Sequence, residues 1–112
     1  MLINIGFNSK KVSLEVKSTS FFTRFSGLMF RSKNTGNLIF DFSYLARWPI
    51  HSLFVFFPFL AIWLDNKNKV LDFKIVKPFC LNIAPNTKFK KLIEIPVNKK
   101  NQEIIKIFIK NN

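Results

Sequence analysis

At 112 residues the chain has room for one domain, 1–112, with one modest core, which excludes a second folding unit. Fifteen Phe make that core aromatic, and eighteen Lys and Arg against six acids give a formal charge of +12, a field that attracts polyanions. A single cysteine, Cys80, excludes an intramolecular disulfide and a cysteine-based zinc knuckle, and suits a reducing, cytoplasmic setting.

The first ten residues lack a positive start followed by a sustained apolar stretch and a cleavage site, so no export is expected. A turn is expected at Gly6 to Lys10, and Lys11 to Lys17 then alternates as a strand with Val12, Leu14 and Val16 inward. The period changes next. Phe21, Phe22, Phe25, Leu28 and Met29 recur at helical spacing behind a cap at Ser18, Thr19 or Ser20. Lys33 to Asn37 reads as a turn and Leu38 to Phe42 as a short strand.

The longest apolar run, Leu53 to Leu64, is too short for the roughly twenty residues of a spanning helix and is broken by Pro58. It reads instead as two buried strands, Ile50 to Phe56 and Phe59 to Leu64, joined at Phe57-Pro58. Asp65 to Lys69 is dense in turn-formers, and Val70 to Val76 resumes a strand with Leu71, Phe73 and Ile75 on one face. Lys91 to Ile95 is a strand ending at Pro96, Val97 to Glu103 a turn of helix, and Ile104 to Ile109 the last strand. These elements predict a β-rich α+β domain of about seven short strands, curled into a partly closed barrel with one or two short helices.

Two motifs carry a resemblance. Ser26-Gly27-Leu28-Met29-Phe30-Arg31 precedes Ile50-His51, which leads through Phe57-Pro58 to Trp63-Leu64-Asp65 and the following turn. In that order and spacing, with Lys77-Pro78-Phe79 and Leu92 to Pro96 behind them, the chain resembles the prokaryotic domain-of-unknown-function family numbered 192 over about residues 10 to 110. The resemblance implies a small β-rich fold and no particular reaction. It also implies polar residues where this chain carries Val55, Phe56 and Leu60, so much of any site in relatives is hydrocarbon here.

His51 is the sole plausible general base, with Cys80, Ser52 or Ser43 as the nucleophiles it would need. None sits in a nucleophile motif, so a small hydrolase built on His51 with Cys80 or Ser52 is the last of three readings. One His, one Cys and scattered carboxylates offer no close metal-ligand spacing, and neither a metal nor a cofactor is expected. Asp41, Asp65 and Asp72 are the carboxylates to watch for convergence, although Asp65 is well placed simply to hold the hairpin turn.

Arg31 can engage a carboxylate or phosphate with its planar fork, or pin its own helix to Asp41 or Glu94. Tyr44, Arg47, Trp48 and His51 form an aromatic and basic rim before the core run, suited to a binding surface. The leading expectation is therefore a non-catalytic binding or accessory module. Its partner would be a small molecule or protein, bound by that rim with Arg31 and Asp65. Self-association as a homodimer stays within this reading. Fifteen of the eighteen basic residues are Lys scattered along the chain, which keeps weak nucleic-acid binding as the alternative.

Overall fold

The computed structural model describes residues 1–18, 35–46 (backbone alone for 43–46), 55–80 and 83–110. It opens with a hairpin in which β1 (Leu2–Phe7) pairs antiparallel with β2 (Lys10–Glu15), placing Ile5 opposite Val12 and Ile3 opposite Leu14. Asn8 and Ser9 turn it with φ of 52° and 64°, the left-handed geometry whose twist matches the flanking strands. Val12, Leu14 and Val16 point inward as their alternation requires. β1 itself goes beyond the sequence reading. Its outer end is solvated at Leu2 and only Ile5 is fully buried, so its residues carry little strand signal of their own.

The second sheet has five strands in the order β3-β4-β7-β5-β6, comprising β3 (Lys17–Ser18), β4 (Leu38–Ala46), β5 (Phe59–Leu64), β6 (Val70–Val76) and β7 (Phe89–Pro96). β5 lies between β6 and β7, antiparallel to both, and all six of its residues are buried. Period-two alternation sends Phe59, Ala61 and Trp63 to one face, and Leu60, Ile62 and Leu64 to the other. The second of these faces is covered by Ile5, Val12, Leu14 and Val16 of the first hairpin and by Ile105 and Phe108.

The expected hairpin of Phe59–Leu64 with Val70–Val76 is present. So are the strands begun at Leu38 and containing Lys91 to Ile95, each longer than its sequence signal. Three expectations change. Neither sheet closes into a barrel, because the five-stranded sheet ends at β6 instead of returning to its first strand. Val55 to Phe57 are outside any strand, while 50–54 and the expected helix around Phe21 to Met29 lie outside the described residues. The third change is the C-terminus, where Ile104 to Ile109 belongs to a helix, α1 (Gln102–Lys110), entered through a 3-10 turn at Lys99–Asn101.

The reason for the helix is its pattern. A strand would mix Lys106 with Ile104 and Phe108 on one face, whereas helical spacing groups Ile104, Ile105, Ile107 and Phe108 against the sheet. This burial overrides the strand preference of four isoleucines. The start is fixed by Asn98, whose side-chain oxygen accepts from the Asn101 amide at 3.0 Å, and by buried Asn101, whose Nδ2 donates to Pro96 O at 2.8 Å. Phe108 stacks on Phe7 at 4.5 Å and meets Phe73 edge-on at 5.2 Å. Phe108→Ala should therefore cost about 3–5 kcal/mol in urea unfolding. A loss below about 1 kcal/mol would mean that the helix is not seated on this face.

Candidate functional site

The other face of the five-stranded sheet has a polar set within its apolar surroundings. Register places Phe40, Leu92, Trp63 and Asp72 in one row across β4, β7, β5 and β6. The next row is Leu38, Glu94, Ala61 and Lys74. Ala61 is the small member between Glu94 and Lys74, with Trp63 and Phe59 two residues away on the same face of β5. The row thus dips between a carboxyl group and an ammonium-bearing strand. Lys74 Nζ donates to Ala84 O at 2.7 Å, drawing the segment after β6 over this side.

Three polar groups stand out here. Trp63 is fully buried, and its Nε1–H has no acceptor among the described residues. Its cross-strand neighbour Asp72 uses Oδ1 to accept from the Phe73 amide at 2.8 Å, but its buried Oδ2 has no donor among the described residues. Glu94 is only 6% exposed, and burial pushes its carboxyl up to about 8, so near neutral pH it is mostly the protonated acid. A buried N–H or carboxylate oxygen without a partner costs about 1–3 kcal/mol. Two of them on adjacent positions, next to an uncharged acid, leave a donor and an acceptor directed at the same side of the sheet.

An aromatic group borders this set, with Phe89 edge-on to Phe42 at 5.3 Å and to Trp63 at 6.4 Å. Ala46 pairs with Phe89, and Val55 and Phe57 belong to the same cluster.

Of the residues expected from sequence, Asp65 is a turn residue. Its Oδ1 accepts from the amides of Lys67 and Lys69 at 2.8 and 2.9 Å. Tyr44 is on β4, in the stretch between Asp41 and Ala46 where the register with β7 shifts. Arg31, Arg47, Trp48, His51 and Ser52 lie outside the described residues. Asp41, Asp65 and Asp72 do not gather: Asp41 pairs with Lys90 on β7, Asp65 holds its turn and Asp72 sits on β6. Among the described residues no three His, Cys, Asp or Glu could hold a metal ion. Cys80 is half-buried against the apolar cluster, its Sγ 3.9 Å from Pro78 O.

Sequence reasoning did not single out Trp63, and met Glu94 only as a mate for Arg31. The available signal was a lone acid inside Leu92-Ile93-Glu94-Ile95, where flanking apolar residues imply burial of whatever lies between them. A separate groove of about 330 Å³ lies between β2, the start of β4 and the start of α1, lined by Glu15, Lys17, Asn37, Lys100, Asn101 and Ile104, among others. It shares no residue with the Trp63 set.

No family model matches the chain, and no curated protein matches it by sequence. The fold is similar to two bacterial crystal structures. One is a protein of unknown function from Novosphingobium aromaticivorans DSM 12444, with TM-score 0.74, 13% identity, and 92% of this chain and 76% of that one aligned. The other, from Sinorhizobium meliloti 1021 and provisionally described as a transcription regulator, has TM-score 0.75 and 14% identity over 92% of this chain and 83% of its own. At such identities the likeness establishes the small α+β fold alone. No helix among the described residues is long and apolar enough to cross a membrane.

The Glu94 carboxyl makes stability depend on pH. Its folded pKa lies above the unfolded value of 4.5, so the folded state holds the proton more tightly. The contribution is complete below pH 4.5 and fades as pH rises to about 8, at no more than about 1.4 kcal/mol per pH unit. Urea denaturation of Glu94→Gln should show this slope removed, with the variant more stable than the parent above pH 8. Equal slopes in both proteins would show that Glu94 is not the group responsible.

Proposed function

We propose that this protein is a binding or accessory module without catalytic machinery of its own, and that it takes a small polar ligand on the sheet face bearing Trp63, Asp72 and Glu94. One observation carries the reading: adjacent buried groups, the Trp63 indole N–H and the Asp72 carboxylate oxygen, lack partners among the described residues. A ligand that accepts from the first and donates to the second would satisfy both. The protonated Glu94 carboxyl adds a further donor at neutral pH.

Tyr44, Arg47, Trp48 and His51 serve in this reading as the rim of the site. Support comes from the described residues that flank them in sequence, since Ala46 pairs with Phe89 and Val55 shares a cluster with Phe89 and Trp63. The resemblance to the family numbered 192 is compatible with a role of this kind, and the apolar Val55 would then belong to its packed surroundings, with Leu60 on the opposite face of β5.

The chemistry required is that of a flat molecule with a primary amide, its oxygen facing Trp63 and its NH₂ facing Asp72, with an apolar body against Phe89. Benzamide is the simplest such probe. Followed by the Trp63 indole N–H resonance, assigned with Trp63→Phe, a benzamide titration should saturate with a Kd on the order of 1 mM, as expected for a fragment of that size. Asp72→Ala should abolish the shift. A resonance that does not move, or moves linearly without saturating in the parent protein, would remove the proposal.

A further inference from the structure

We infer that the outer edge of β6, from Leu71 to Val76, is a docking edge for an extended, acidic segment of a partner protein, added as a further strand. Among the described residues β6 ends the five-stranded sheet, with β5 as its one ladder partner. The Phe73 amide is not spent on β5: it donates to the side chain of Asp72, a local stopgap. Since ladder groups alternate along an antiparallel strand, the Ile75 amide faces outward with that of Phe73, whereas at Leu71 a register shift between Val70 and Asp72 interrupts the alternation. An edge of this kind is a template for strand addition unless covered.

The edge already accepts backbone at its beginning. Gly6 of β1 bridges Lys69 in parallel, with Gly6 N donating to Asn68 O at 2.9 Å. β1 leads no further along β6, and beyond this contact Leu71 and Ile75 are 39% and 43% exposed. They stand on the same sheet face, four residues apart, where an added strand would cover both with its own alternate side chains. Past the strand end, Phe56 and Phe79 expose an edge-to-face ring pair at 5.6 Å. Phe79 is held at φ 62°, a conformation rarely taken by so bulky a residue.

Charge selects the occupant. Exposed Lys67 and Lys69 lie before β6 and exposed Lys77 just after it, in a chain of net charge +12. A second copy would bring the same lysines to the same edge, so self-pairing is opposed, whereas Asp and Glu alternating with apolar residues fit both the lysines and the Leu71/Ile75 face.

The test uses the full chain and a probe peptide, acetyl-Glu-Val-Glu-Val-Glu-Val-Glu-amide, with its Lys-for-Glu counterpart as control. The acidic peptide should bind, slow hydrogen exchange at the Phe73 and Ile75 amides, and bind more weakly as salt rises. The basic peptide should not bind. Ile75→Pro removes one outward N–H without touching the β5 ladder and should weaken binding at least tenfold, as Leu71→Ser should more mildly, both folded by circular dichroism. The proposal is overturned if the acidic peptide leaves these amides unprotected, or if it binds Ile75→Pro as tightly as the parent. Equal binding of the basic peptide would also overturn it. Concentration-dependent protection of the same amides without peptide would assign the edge to a second copy instead.

Discussion

β5 is the constraint on which the rest of the structure depends. It is paired on both sides and buried on both faces, so each of its six residues must find cover from another element. Leu60, Ile62 and Leu64 are covered by the first hairpin and the C-terminal helix, which explains why those two elements, distant in sequence, meet through Phe7 and Phe108. Phe59, Ala61 and Trp63 belong to the opposite cluster with Phe89, Val55 and Phe57. A change of register by one residue would exchange the two sets, which separates an all-aliphatic triplet from one that contains the indole.

That division also determines where polarity is tolerated. On the aliphatic side the described partners are Ile, Leu, Val and Phe. On the other side a fully buried indole, a half-spent carboxylate and a buried acid share the sheet, and burial keeps Glu94 protonated near neutrality. A domain stabilised by only about 5–15 kcal/mol does not carry such groups without consequence. The retention of three polar groups where hydrocarbon would pack better is the physical basis for proposing a binding role on this side.

Much of the fold was legible in sequence because the signals were local. Strict alternation identified Val12 to Val16, and the turn chemistry of Asp65 to Lys69 identified the hairpin whose Asp65 carboxylate accepts two backbone amides. Ile104 to Ile109 was misread because four isoleucines favour a strand, and only the sheet surface waiting for Ile105 and Phe108 decides for a helix. The barrel expectation failed for a similar reason, since closure depends on which strands neighbour one another, and no residue near β6 encodes that its outer side stays open. Asp65 was a reasonable site candidate that turned out to hold a turn. Trp63 and Glu94 were hidden because their significance lies in burial and in partners across strands that lie far apart in the chain.

The most direct test is the ionisation of Glu94 itself, followed by its side-chain carboxyl carbon resonance in labelled protein as pH is raised. A midpoint near 8 is predicted, with the Trp63 indole N–H responding over the same range, because the carboxyl is buried on the same face. A midpoint near the ordinary 4.5 would contradict this picture. It would mean that water or a cation, such as Arg31, reaches the carboxylate, and that the polar set on this face is already satisfied.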